Sequence, residues 1–142
     1  MVTKEMERIY QEVADILVKM IPEKWQTIFL YTEIDEKNHR LFFYYYPEFS
    51  TEPVYMLDVA SMLKGSKREW EVLANALYDA FERLLLAFDE AEQELWTNLT
   101  FQLNSKGNMK IKFDYDDLST VDFLEKKEKW EKEYLQASLQ EL

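Results

Sequence analysis

The sequence contains no cysteine, which excludes disulfide bonds, thiolate metal sites and a cysteine nucleophile. Glycine occurs only twice, so neither a P-loop nor a glycine-rich dinucleotide fingerprint can be formed. No apolar run approaches the roughly 20 residues that a bilayer-spanning helix needs. The N-terminus, residues 1–8, is charged and differs from a secretion signal. We therefore expect a cytoplasmic protein with no cofactor and no membrane association.

Side chains suited to catalysis are also scarce. The single histidine, His39, stands beside a turn at the start of a strand-like run, where a solvated side chain is more common than a general base. Asp114, Asp116 and Asp117 form the strongest chemical cluster, and their oxygens could hold Mg²⁺ or Ca²⁺. The spacing of an EF-hand loop is missing, however, and the cluster is more typical of a turn and a helix cap. We expect no catalytic residue and no metal site, and rank a metal-dependent enzyme third among the hypotheses.

The charge of the chain is strongly acidic, with 28 Asp and Glu against 17 Lys and Arg and a net charge of −11. Such a surface repels phosphate backbones, which disfavours direct binding of nucleic acid. It attracts basic proteins instead, and can raise their association rate by roughly 10- to 1000-fold at low salt. The alternative is that the charge only keeps an aromatic-rich domain soluble.

Apolar residues at helical spacing predict three helices. The first begins after an N-cap at Thr3 and ends near Ile21, because Pro22 disfavours helical geometry in the residue before it. The second opens with a capping-box pattern from Ser66 to Glu69 and carries a long apolar stripe. The third begins near Ser119 and presents these apolar residues: Leu124, Trp130, Tyr134 and Leu135.

Alternating apolar and polar residues predict four strands and a short fifth one. They cover residues 25–34, 39–47, 54–57, 96–103 and 109–115, with Gly107 in the turn before the last. Together with the helices they predict a single α+β domain over residues 1–142. Its antiparallel sheet of four to five strands has three helices packed on it, and we expect those helices on one side.

The sheet should carry large rings on both faces, because residues 42–46 are Phe-Phe-Tyr-Tyr-Tyr. One face must be core, and the other is either an exposed aromatic patch or a surface covered by a helix, which we favour slightly. Alternation places Trp96 and Asn98 on the face opposite Leu99. Both are candidates for an interface, although Asn98 could instead satisfy a backbone group at a strand edge.

Several of these segments resemble the YezG-like immunity (antitoxin) proteins. The most specific are Trp-Thr-Asn-Leu-Thr at 96–100 and Tyr-Asp-Asp-Leu at 115–118, with Gly107 between them. The resemblance continues at residues 21–25 and 29–34 and at Trp130, Tyr134 and Leu135, so it covers most of the chain. The last segment departs from the family pattern, because no glycine follows Leu135. The resemblance implies a small cytoplasmic protein that neutralises a secreted nuclease toxin made by the same cell.

The resemblance and the charge together lead to one functional hypothesis, a non-catalytic immunity protein whose acidic and aromatic surface occupies the cationic cleft of a nuclease toxin. The alternative is an acidic adaptor that binds a basic protein without inhibiting an enzyme. The sequence leaves the toxin's identity and the oligomeric state open. The candidate partner-binding residues are the carboxylates Asp114, Asp116 and Asp117, the rim charges Glu33, Asp35 and Glu36, and the pair Trp96 and Asn98.

Overall fold

An antiparallel sheet organises the fold in the computed structural model, which describes residues 2–35, 38–62 and 67–136. Within those residues the sheet has five strands in the order β3-β2-β1-β4-β5. The strands are β1 (Trp25–Ile34), β2 (His39–Pro47), β3 (Val54–Tyr55), β4 (Asn98–Asn104) and β5 (Met109–Asp114). The helices are α1 (Lys4–Met20), α2 (Met56–Met62), α3 (Lys67–Glu90) and α4 (Phe123–Glu131), and a π-helical segment (Lys132–Gln136) continues α4. The α+β class and the antiparallel sheet are confirmed.

The first two predicted helices correspond to α1 and α3 of the structure. Thr3 caps α1 by accepting a hydrogen bond from the backbone N–H of Met6 at 3.1 Å, and the helix ends before Ile21 as predicted. The stripe of α3 is buried at Trp70, Leu77, Phe81, Leu84 and Phe88, and its other members are partly buried against the main core. Ser66, the first residue of the predicted capping box, lies outside the described residues.

The sheet is covered on both faces. On one face α1 and α3 pack over residues such as Leu30, Phe43 and Phe101, and this is the main core. On the other face α4 and the π-helical segment cover an aromatic cluster: Phe29, Tyr31, Phe42, Tyr44, Tyr46, Trp130 and Leu135. The expectation that all helices lie on one side was therefore wrong, whereas the expectation that a helix covers the second aromatic face is confirmed.

Three local predictions need correction. Trp96 packs in the main core with Leu99 rather than opposite it, because β4 begins only at Asn98 and strict alternation does not extend back to Trp96. The third strand is limited to Val54–Tyr55, since Met56 already begins α2. In α4 the side chain of Leu124 is 66% exposed, and its neighbour Phe123 packs against the aromatic cluster instead.

The β4–β5 hairpin depends on the one glycine with a positive φ among the described residues. Gly107 has a φ of 90°, and the carboxamide oxygen of Asn104 accepts hydrogen bonds from the N–H groups of Lys106 and Asn108, each at 3.0 Å. A Cβ at Gly107 would meet nothing within 4 Å, so a substitution there acts through the backbone alone.

Replacing Gly107 with alanine is expected to destabilise the protein by about 1–2 kcal/mol, because an L-residue is strained at positive φ. Gly107→Asn is the matched control and should lose less, since asparagine tolerates this region better than alanine. Urea unfolding of both variants measures the difference. Equal stabilities for wild type and Gly107→Ala would contradict the assignment of φ as the reason for glycine here.

Candidate functional site

The register of the sheet gathers most of the candidate carboxylates at one end of the molecule. Glu33 of β1 pairs with Asn98 of β4, which pairs in turn with Asp114 of β5. The chain leaving β1 continues to Asp35, and the chain leaving β5 continues to residues 116 and 117. We call this set the acidic end: Glu33, Asp35, Asp114, Asp116 and Asp117.

A small cleft of about 120 Å³ opens at the acidic end, and Glu33, Asp35 and Asp117 line it together with Thr97. Thr97 connects its walls. The Thr97 N–H donates to the carbonyl oxygen of Asp114 at 2.9 Å, and its hydroxyl donates to that of Asp116 at 2.7 Å. The carbonyl oxygen of Thr97 accepts from Ile34 N–H at 3.1 Å. Thr97 therefore holds the ends of β1 and β5 together, a structural role that the sequence did not reveal.

The two aspartates that follow β5 reach solvent. Asp116 is exposed and has no ion-pair partner within the described residues. Asp117 accepts a hydrogen bond from the backbone N–H of Ser119 at 2.9 Å, which lowers the pKa of its carboxyl below the usual range and keeps it ionised. The turn role predicted for Asp117 is confirmed, but the N-cap of α4 is Asp122.

The candidate rim residues Glu33 and Asp35 differ in how accessible they are to a partner. Glu33 accepts a hydrogen bond from the Tyr31 hydroxyl at 2.6 Å and lies 3.5 Å from the Nε of Arg40, with its side chain 14% exposed. Burial, and then the hydrogen bond to Glu33, raises the pKa of Tyr31 far above its ordinary value. Asp35 is exposed and accepts from the backbone N–H of Asn38 at 2.5 Å. Glu36 lies outside the described residues. Glu33 is thus engaged within the protein, whereas Asp35 is on the surface.

Asp114 points to a different surface from Asp117. It lines a second cleft of about 170 Å³ between α4 and the sheet, in the company of Lys112, Lys126, Lys129 and Glu133. Lys112 and Glu133 lie 4.0 Å apart in this cleft. The mixed charges make the second cleft much less negative than the first, which separates Asp114 from Asp116 and Asp117 in electrostatic terms.

Trp96 and Asn98 are each only 1% exposed, so neither belongs to the surface of the isolated chain. The Trp96 ring lies 6.2 Å from that of Phe113, and its indole N–H has no hydrogen-bond partner within the described residues. The Asn98 amide donates to the Thr97 hydroxyl at 3.0 Å. Asn98 therefore supports the threonine that connects the cleft walls.

The single histidine is packed rather than solvated, contrary to expectation. The His39 ring meets the Tyr78 ring edge-on at 4.4 Å, and its Nδ1 lies 3.4 Å from a carboxylate oxygen of Glu82. Burial lowers the pKa of His39, opposed by Glu82. Across residues 2–35, 38–62 and 67–136, no three His, Asp or Glu side chains are grouped to hold a metal ion. Over the same residues, no helix has the length and apolarity needed to cross a membrane.

Comparison with known proteins gives a consistent set of relatives. The sequence model of the family described as "Immunity protein YezG-like" matches residues 6–141. The chain is 32% identical to Immunity protein YezG of Bacillus subtilis (strain 168) over 129 residues, covering 89% of this chain and 85% of that one. It is 29% identical to Immunity protein YezG of Bacillus spizizenii over 116 residues, covering 82% and 72%. It is 30% identical to the Type VII secretion system protein EsaG of Staphylococcus aureus over 120 residues, covering 84% and 74%.

Proposed function

The chain belongs to the YezG-like immunity protein family, and from that premise we propose that it is a non-catalytic antitoxin which binds and inhibits a cognate nuclease toxin. It acts in the cytoplasm of the cell that makes the toxin. The immunity role comes from the family. The net charge of −11 supports a nuclease as the target, since a nuclease must present cations to hold its polyanionic substrate.

The acidic end is the surface we propose for contact with the cationic cleft of the toxin. The observation that carries this proposal is the convergence of exposed carboxylates at one end of the sheet, where Asp35 and Asp117 line one cleft and Asp116 adjoins Asp117 in the chain. Thr97 holds their backbone segments in place, so little ordering is required when the toxin binds. These carboxylates then take the positions that substrate phosphates would occupy. Asp114 lines the second cleft and contributes to this contact less directly, and Glu36 lies outside the described residues.

The contributions of the other candidates are indirect. Glu33 forms an ion pair with Arg40 and accepts a hydrogen bond from Tyr31, so its main role is to fix the cleft wall. Asn98 positions Thr97, and Trp96 fills the core beneath. The aromatic anchor of the interface must therefore come from somewhere other than Trp96.

Neutralising the exposed part of the acidic end tests the proposal. Asp116→Asn with Asp117→Asn is expected to weaken binding to the nuclease domain of the neighbouring toxin gene by about 10-fold, mainly through slower association. Asparagine at 117 retains an oxygen that can accept from Ser119, so the turn should survive. Stopped-flow association rates and survival on co-expression with the nuclease provide the measurements.

The matched control removes the same charge elsewhere. Asp15→Asn with Glu71→Gln neutralises two exposed carboxylates on α1 and α3, and Asp15 lies beside the β4–β5 turn at the opposite end of the sheet. This pair should change association much less. Equal effects of the two pairs would refute the acidic end as the contact surface. A stable complex with full nuclease activity would favour the adaptor alternative.

A further inference from the structure

One aromatic side chain is presented to solvent in an unusual way. Phe49 is 95% exposed, and its φ of 65° places a bulky non-glycine residue in the left-handed region. Large side chains rarely adopt this region, and backbone strain of this kind persists only where the surroundings impose it. Both the exposed ring and the strained backbone are unfavourable for the isolated protein, and the main core and the aromatic cluster of the sheet do not use this side chain.

The loop around Phe49 is held by hydrogen bonds on both sides. The side-chain amide of Gln26 donates to the carbonyl oxygens of Pro47 at 3.1 Å and Ser50 at 2.7 Å. The N–H of Glu48 donates to the carbonyl oxygen of Lys24 at 2.9 Å, and the N–H of Ser50 donates to Pro47 at 3.1 Å. The loop is therefore fixed to the start of β1, and Phe49 is displayed from a rigid base.

The surroundings of Phe49 indicate what kind of surface it fits. Its neighbours Glu48 and Glu52 are exposed and make no ion pair within the described residues. Beside Glu48 an open concavity is lined by four apolar residues, Val18, Ile21, Pro22 and Trp25, and by the polar residues Glu23, Lys24 and Ser105. The Phe49 ring with Glu48 and Glu52 beside it is complementary to an apolar pocket that has a basic rim.

We propose that Phe49 is a preformed aromatic anchor that inserts into an apolar pocket of the toxin, where lysine or arginine side chains on the pocket rim face Glu48 and Glu52. The proposal rests on the proposed function for the identity of the partner. A ring held on a fixed loop loses little conformational entropy on binding, which favours a slow dissociation rate. Phe49 thus supplies the anchor that buried Trp96 cannot.

The anchor and the acidic end contribute separately. Phe49 lies in the loop that is hydrogen-bonded to the start of β1, whereas the acidic end lies at the other end of that strand. β1 has 10 residues, which corresponds to about 30 Å at the usual rise of a strand. Substitutions at two sites this far apart should have independent effects on binding.

Phe49→Gly separates a binding role from a structural one. Glycine relieves the strained φ, so stability to urea should stay unchanged or rise, while dissociation from the cognate nuclease domain should become about 10- to 100-fold faster. Phe49→Tyr keeps the ring and should dissociate within about threefold of wild type, a small change for an anchor that retains its apolar area. Leu57→Ala, at a side chain that is 56% exposed, is the matched control and should have no effect. The dissociation rate is measured on immobilised nuclease domain, and the stability is measured by equilibrium unfolding in urea.

The outcomes distinguish this proposal from the function on which it rests. If wild type inhibits the nuclease and Phe49→Gly dissociates as slowly as wild type, the anchor is refuted and the antitoxin role stands. Loss of stability in Phe49→Gly would also refute it, since the side chain would then serve the fold. If Phe49→Gly dissociates faster but Asp116→Asn with Asp117→Asn binds normally, the anchor is supported and the acidic end is refuted. A wild-type chain that does not bind the nuclease would overturn both.

Discussion

Replacing Trp130 with alanine is expected to destabilise the protein by about 3–5 kcal/mol, the usual cost of removing a buried tryptophan. Trp130 is 5% exposed, and its ring centroid lies 5.0 Å from Phe42 and 6.1 Å from both Tyr31 and Tyr44. Its indole N–H donates to the Thr100 hydroxyl at 2.9 Å, which links α4 to β4. The substitution removes both the apolar contacts and the hydrogen bond.

The loss should be concentrated on one face of the sheet, because Trp130 is the one buried residue of α4. Other contacts hold this layer less strongly. Tyr44 donates to a carboxylate oxygen of Glu131 at 2.7 Å, and Tyr46 donates to the carbonyl oxygen of Leu135 at 2.9 Å. Without Trp130, we expect α4 and the π-helical segment to separate from the sheet before the main core unfolds. The uncovered aromatic cluster should then bind a hydrophobic dye and promote aggregation.

Two control variants test whether the loss of stability comes from the buried ring and its hydrogen bond. Leu124→Ala lies on the same helix at a side chain that is 66% exposed, and should cost no more than about 0.5 kcal/mol. Trp130→Phe keeps most of the apolar area but leaves Thr100 without its partner, and should cost about 1–3 kcal/mol. Urea unfolding measures all three. A Trp130→Ala protein with the stability of Leu124→Ala would show that α4 does not depend on this side chain.

The spacing of apolar residues correctly predicted those helices and strands whose buried face can be identified from their own residues. The apolar stripes of α1 and α3 and the alternation of β1 each match a surface that the structure buries. Helix ends also followed local chemistry, as at Thr3 and Ile21. In these segments local preference and tertiary packing agree, so the sequence suffices.

The errors arise where the boundary of an element or a distant contact decides the outcome. Trp96 was assigned to the wrong face because alternation was continued beyond the first residue of β4, and periodicity alone does not mark that residue. The side of the sheet taken by α4 depends on long-range contacts of Trp130 with β2 and β4, which no local pattern encodes. The apolar position predicted at Leu124 is exposed for the same reason, and Phe123 packs on the sheet instead.

The candidate site shows the same division. The sequence identified the carboxylates but not the pairing of β1 with β4, which brings Glu33 near Asp114 and is known only from the structure. It did not show that Arg40 engages Glu33, or that Thr97 connects the two chain segments, because these are contacts between strands at one end of the sheet. Phe49 was missed entirely, since a turn composition carries no sign of the φ that a particular residue adopts.

Association of the protein with its nuclease domain is expected to slow by about 10- to 1000-fold when salt is raised from about 0.01 M to 1 M, because the Debye length falls from about 30 Å to 3 Å. The large excess of carboxylates supplies a long-range attraction to a basic partner, and only screening removes it. Dissociation should change much less, since an apolar anchor such as Phe49 is not screened. Stopped-flow measurements across the salt range give both rates.

A pair of charge-reversed variants separates the field of the whole protein from that of the acidic end. Asp116→Lys with Asp117→Lys and Asp15→Lys with Glu71→Lys change the net charge by the same amount, but only the first pair reverses exposed carboxylates of the acidic end. Because a cleft concentrates the local field, the first variant should have the slower association at low salt and the shallower salt dependence. At high salt, the association rates of the two variants should converge. Identical salt dependences of the two variants would mean that the overall charge steers the partner and that the acidic end has no special role. A wild-type association rate that does not change with salt would exclude electrostatic attraction altogether.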